Sequence, residues 1–208
     1  MSDFEYFFSF FGLLLGLAVA EVALKFADAV DAHMRRPIGV LTPLLAVVVL
    51  MDLASLWLWT WSAREIIAVS WPTIFLGLIL AVTYFMAASL IFPRVDNRWE
   101  NLDEHYWARK RLVIGGILLV NLILLLFQFG RALPAWNDAW FFIYQLTYFV
   151  PFTALMFSRS RRGDLTILVY LIVMFIVTAT DLLPNSEWGN AVDLNPPSTL
   201  APPDIRKL

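Results

Sequence analysis

The sequence predicts an all-α polytopic membrane protein, a six-helix transmembrane bundle with both termini extracytoplasmic. Three observations lead there. Of the 208 residues, 60% are hydrophobic and only 15% charged, whereas a soluble domain is roughly half apolar and a quarter charged. Six apolar runs reach the length of about 20 residues that a hydrocarbon core demands. The basic residues also alternate between successive connections, as the positive-inside rule requires.

The six runs lie at about 4–26, 39–62, 70–92, 111–130, 138–158 and 164–183. The first follows acidic Asp3 and Glu5. Ala18-Val19-Ala20 imitates a signal-peptidase site, but a signal peptide opens with positive charge, so this run is expected to stay as a helix. Pro37, Pro93 and Pro134 fall in connections, where chain breaks are cheap. Pro151 lies inside the fifth run and is expected to kink it, freeing a carbonyl near Thr147. The runs form one domain, 1–183, followed by a Pro-rich tail, 184–208.

Eleven basic residues fall on the odd-numbered connections: Lys25, Arg35, Arg36, Arg94, Arg98, Arg109, Lys110, Arg111, Arg159, Arg161 and Arg162. The opposite side carries four, Arg64, Arg131, Arg206 and Lys207. The odd connections are therefore assigned to the cytoplasm. Trp57, Trp59, Trp61, Trp71, Trp136 and Trp140 then collect at the outer ends of spans as an interfacial belt, with Trp99 and Trp107 at the inner interface. Twelve of the fifteen basic residues are Arg, a bias that hints at a GC-rich bacterial genome, and the expected location is a bacterial inner (cytoplasmic) membrane. The two three-helix halves run in opposite directions, which is compatible with an inverted repeat, although no residue-level similarity joins them.

Several function classes drop out. There is no Cys, which excludes disulfides, thiolate metal sites and Cys nucleophiles. There is no basic tract for nucleic acid, and no Walker loop, GxSxG, HExxH or EF-hand. No cofactor or metal is expected, and the balance leans away from an enzyme.

The candidate site centres on Asp52. Residues 44–61 read LLAVVVLMDLASLWLWTW, and Asp52 is the lone ionisable group in that run. A charge near mid-membrane costs about 2.5–3.5 kcal/mol on insertion scales. No Lys, Arg or His lies at the same depth in any span. Asp52 is then protonated, or held by a water-filled cavity or bound cation, or it is a neutral group bonded to Ser55 one turn on or to another helix. Asn121 and Gln128 share a face of the fourth span. Gln145, Thr147, Tyr144 and Tyr148 lie on the fifth span, and Thr178, Thr180 and Asp181 near the outer end of the sixth. Together with Asp52 and Ser55 these are expected to form one polar cluster in the outer half of the bundle.

Glu21 lies near the inner end of the first span, too far in depth to reach Asp52. It reads either as an ion pair with Lys25 one turn on or as a carboxylate at the inner mouth of a pathway. Gly12, Gly16, Ala20, Ala23 and Ala27 form a small-residue stripe on the same helix. Such stripes let helices approach closely, so this one is expected to pack inside the protomer, with an oligomer seam as the alternative. In the third connection, Asn101 and Glu104 resemble a capping box, which predicts a helix starting there and running into the fourth span. Trp99, Leu102 and Tyr106 would lie at the interface. His33 and His105, beside acidic neighbours, are expected to be exposed, with metal binding or interfacial acid–base chemistry as the weaker reading.

The leading functional expectation is a small channel or secondary carrier for protons or small cations. Asp52 would be its centre, with Asn121, Gln128, Gln145, Ser55, Tyr148 and Asp181 along the path and Glu21 at the inner mouth. The alternative is a non-catalytic assembly, sensor or scaffold subunit. Its partners would include the lipid bilayer, a second copy of the chain, and an extracytoplasmic protein that docks the Pro-rich tail.

Overall fold

The structure is a computed structural model that describes residues 2–31, 39–65, 67–93, 102–130, 133–134 and 136–180. Expectations for His33, Trp99, Asn101, Asp181 and the tail 184–208 lie outside the described residues. Six α-helices follow in order: α1 (Asp3–Asp31), α2 (Leu41–Ser62), α3 (Trp71–Ser89), α4 (Leu102–Phe129), α5 (Ala139–Phe157) and α6 (Arg161–Ala179). All six are long and apolar enough to cross a membrane.

Five of the helices begin where nearby side chains satisfy free amide groups. Ser2 and Glu5 form a reciprocal capping box at α1: Glu5 N–H donates to Ser2 Oγ at 3.2 Å, and Ser2 N–H to Glu5 Oε2 at 2.8 Å. Ser70 caps α3, with Pro72 in the first turn. Asp138 caps α5 through Phe141 N–H at 3.0 Å, and Ser160 caps α6 through Gly163 N–H at 3.3 Å. The start of α2 borrows its cap: Asp103, on α4, accepts the Leu41 N–H at 3.3 Å. Gly39 turns the chain into this contact at a φ of 64°, and a Cβ there would collide with the Asp103 carboxylate.

The helices alternate in direction. Phe4 and Phe8 at the start of α1 pack on Trp61 at the end of α2. Phe129 at the end of α4 packs on Phe141 at the start of α5. Lys25 near the end of α1 donates to the Ser89 carbonyl at the end of α3, at 2.8 Å. The upper end of the bundle is thus where α1, α3 and α5 begin, and the lower end is where they finish.

In projection the ring order is α1, α3, α4, α5, α6, α2, and α2 also reaches across to α4. The central position of α2 explains why its apolar character is nearly continuous: it has neighbours on several sides. Leu45, Val48, Val49, Leu53 and Leu56 are all buried. The closest packing is between α1 and α3. Gly77 lets Phe7 lie against the α3 backbone, since a Cβ there would come within 3.0 Å of the ring. Away from these seams, large side chains such as Leu13, Leu24, Leu119, Leu126, Leu146 and Ile176 are exposed, which suits a surface solvated by lipid.

Two expectations change here. α1 runs to Asp31 and α4 starts at Leu102, so both reach past the apolar spans, and the second of these is the helix predicted from Asn101. The small-residue stripe of α1 does not pack inside the protomer. Phe7, Phe11, Leu15, Ala18 and Val22 form the buried face, because these larger side chains bring more contact area to α3. Gly16, Ala20, Ala23 and Ala27 are exposed, and Gly16 has nothing within 4 Å of its Cβ position. Only Gly12 is packed, with Trp57 Nε1 3.3 Å from its Cβ position. α5 runs from Ala139 to Phe157 with Pro151 inside it.

Candidate functional site

Asp52 sits eleven residues into α2, roughly 16 Å along the axis at 1.5 Å per residue. It is 2% exposed, and three other helices supply its partners. Tyr84 of α3 donates its phenol to Oδ2. Tyr148 of α5 donates to Oδ1 at 2.7 Å. Asn121 of α4 contributes Nδ2 to Asp52 Oδ2 at 3.3 Å and to Tyr84 Oη at 3.2 Å, while also reaching the Ile117 carbonyl of its own helix at 3.0 Å. Every recorded donor to this carboxyl is neutral. A buried polar group is tolerated when bonded in this way, and four helices are tied together at one point by doing so.

Above Asp52 the helices separate around a cavity of about 300 Å³. Asp52 lies at its lower limit, and Ser55, Asn121, Gln128, Tyr144, Gln145, Thr147, Tyr148 and Thr178 contribute its polar lining. Most of the polar residues expected to cluster in one half of the bundle therefore share a single space, framed by the second half of α2, the end of α4, α5 and the end of α6, while Thr180 lies outside that lining and donates to the Val177 carbonyl at 2.7 Å. Ser55 lines the cavity but does not bond Asp52. Its hydroxyl donates instead to the Met51 carbonyl at 3.0 Å, the usual back-bond of a mid-helix Ser. Trp59, Phe149 and Phe175 supply aromatic walls.

Below Asp52 there is close apolar packing. Val48, Val49, Val113, Ile114, Ile117 and Leu168 are each inaccessible. The lower end then closes on a second polar cluster that the sequence pattern did not bring forward. Lys110 of α4 and Asp164 of α6 form an ion pair that is 2% and 0% exposed. Tyr106 donates to Asp164 Oδ2 at 2.8 Å, and Lys110 also donates to the Ser158 carbonyl at 2.7 Å. Lys110 lies 4.1 Å from the centroid of the Trp107 ring, close enough for a cation–π contact. Tyr106 is thus buried and not interfacial as expected, because Asp164 offers its hydroxyl an acceptor inside the bundle. His105 is buried too, not exposed: its Nε2 donates to the Leu90 carbonyl at 3.0 Å, covering the end of α3.

Glu21 pairs with Lys25 at 2.7 Å, near the lower end and away from the Asp52 cavity. The residues brought together are therefore Asp52, Ser55, Asn121, Gln128, Gln145 and Tyr148, with Glu21 apart and Asp181 outside the described residues. Tyr84 was missed. A lone Tyr in an apolar helix gives no sequence signal of its own, and only the α2–α3–α4 junction reveals its role. Tyr106 and Lys110 did carry a signal, since an i, i+4 spacing puts them on one face, with Asp164 in the first turn of the next-but-one helix.

Comparison of the chain with protein-family models, curated proteins and solved structures finds no match, so what this site does must be argued from its own chemistry.

Proposed function

We propose that the chain is a multi-pass protein of the bacterial inner membrane, with both termini outside the cytoplasm, and that it is a small secondary carrier or channel for protons or small cations. The orientation rests on the eleven-to-four division of basic residues. In that orientation the Asp52 cavity belongs to the outer half and the Lys110–Asp164 pair to the cytoplasmic half.

One observation carries the transport reading: a carboxyl deep within the second span lies at the floor of a polar cavity, held by neutral donors from three helices. Intramembrane ionisable groups that face an interior cavity mark ion and proton paths more often than packing. A carboxyl with neutral partners can exchange a proton or a cation without breaking a resident ion pair. Tight apolar packing on the other side favours a carrier over an open pore, since a path through this conformation stops at Asp52. Gln128 and Gln145 would line the approach from outside. Glu21 and its Lys25 partner would belong to the opposite mouth. Proton and cation flux into proteoliposomes, compared between the intact protein and Asp52→Asn, tests the reading. Flux that requires Asp52 supports it; the same flux from both proteins contradicts it.

A second reading keeps a specific observation in its favour. The face of α1 carrying Gly16, Ala20, Ala23 and Ala27 is exposed, and a small-residue face admits another helix closely. A subunit that acts through a partner, or through a second copy, would use it. Recovery of a stoichiometric partner whose attachment fails in Gly16→Leu would move the balance to that reading.

A further inference from the structure

We infer that the Asp52 cavity binds a small organic monocation, an ammonium carried on an aromatic or apolar body. This deepens the transport proposal and rests on its reading of Asp52 as the cation site.

The first argument is the capacity left on the carboxyl. A carboxylate offers about four lone-pair positions. Three donors occupy Asp52: Tyr84 and Asn121 on Oδ2, and Tyr148 on Oδ1. Oδ1 keeps a position for a further donor, and Asp52 borders the cavity. An ammonium N–H is a donor of the right charge for that position.

The second argument is the wall. Trp59, Tyr144, Tyr148, Phe149 and Phe175 all line the space. Tyr148 and Phe175 stand edge-on with centroids 6.4 Å apart, and Tyr148 bonds the carboxyl itself. Ring faces attract organic cations, most strongly where water is excluded. The hydroxyl and amide oxygens of the lining could also meet a hard inorganic cation, but the rings beside them give that ion nothing and give an organic cation a place for its body. The volume of about 300 Å³ lies at the small end of the range for small-molecule sites.

The third argument concerns net charge. None of the described lining residues is Lys or Arg. A zwitterion such as an amino acid, or the phosphate-bearing headgroup of a lipid, would bring an anion that finds no cation to meet it. The site therefore suits a free monocation.

Calorimetry on the intact protein in nanodiscs tests this with 2-phenylethylammonium, 2-phenylethanol and phenylalanine, which share one ring and differ in charge. The ammonium should bind at least tenfold more tightly than either of the others, and Asp52→Asn should remove that preference. Phe175→Leu, which leaves the carboxyl and its donors in place, should weaken the ammonium severalfold. Equal binding of the alcohol, or of phenylalanine, would overturn the inference, and so would no binding of the ammonium. The comparison among probes uses the unmodified chain, so it stands even if a variant fails to fold. Asp52-dependent proton flux in a preparation that does not bind the ammonium would overturn this inference alone and leave the transport reading in place. Loss of both would remove the two together.

Discussion

Tyr148 donates its phenol to Asp52 Oδ1 at 2.7 Å across 96 residues of sequence, closing α5 onto α2 at the floor of the cavity. Tyr84 performs the same service on Oδ2 from the other side. The two residues differ in setting: Tyr148 lines the cavity and is partly exposed, whereas Tyr84 is 1% exposed. Tyr84→Phe should therefore destabilise the protein by about 1–3 kcal/mol, the cost of an unmet buried polar group. Tyr148→Phe should cost less than about 1 kcal/mol, since water in the cavity can replace the lost donor. Thermal unfolding in one detergent ranks the pair, and a larger loss from Tyr148→Phe would contradict this order.

The Lys110–Asp164 pair makes a prediction about coupling. Removing one partner leaves an uncompensated buried charge, so Lys110→Met or Asp164→Leu alone should cost about 3–5 kcal/mol. The double variant should be clearly more stable than the sum of the two losses implies, because neither charge remains. A double-mutant cycle by unfolding measures this. Additive losses would mean that the pair is not coupled as its geometry requires.

Two glycines on neighbouring helices should respond in opposite ways. Gly77→Leu should destabilise the fold by about 1–3 kcal/mol or more, since Phe7 already occupies the space. Gly16→Leu should leave the unfolding of the protomer within about 0.5 kcal/mol of the parent, because its side faces outward. If α1 is an oligomer seam, Gly16→Leu will also reduce particle size in detergent while protomer stability stays constant.

Gly39 gives the sharpest local prediction. At a φ of 64° an L side chain is strained by about 1–2 kcal/mol, and here the added Cβ also pushes on Asp103. Gly39→Ala should therefore lower stability and loosen the Asp103 cap on α2. Hydrogen exchange at Leu41 N–H reads the second effect directly. Unchanged protection there would show that the cap does not depend on the turn.

The six spans were legible because lipid demands long apolar helices, and that demand acts on each segment alone. The site was legible in part for the same reason. Asp52, Asn121, Gln128 and Gln145 stand out against apolar surroundings, so their types and depths marked them before any contact was known. Tyr84 could not be found that way, since a Tyr suits interfaces, cores and sites alike. Which helices are neighbours is not written in any one helix: the ring places α1 against α3 and leaves α2 central, and only this order brings Tyr84 and Tyr148 to opposite sides of one carboxyl. The α1 stripe failed for a related reason. Small residues permit close packing, but Phe7, Phe11 and Leu15 fill the α3 interface better, so the permission is not used within the protomer. Lys110 read as a flanking charge because a Lys near a helix end usually snorkels to water. The facing Asp164, supplied by a helix 54 residues on, holds it inside instead.

The central claim is that Asp52 is the group through which an ion passes. Flux into proteoliposomes under an imposed pH or cation gradient tests it most directly, using the intact protein, Asp52→Asn and Asp52→Glu. Each protein should first be shown to be monodisperse and equally resistant to unfolding. Asn keeps the size and hydrogen bonding of the side chain but cannot take up or release the ion. The account predicts flux from the intact protein, at least a tenfold loss in Asp52→Asn, and partial recovery in Asp52→Glu. Equal flux from the intact protein and Asp52→Asn, or no flux from any of them across pH and voltage, would contradict it. Asp52 would then be a hydrogen-bonded tie between four helices and nothing more.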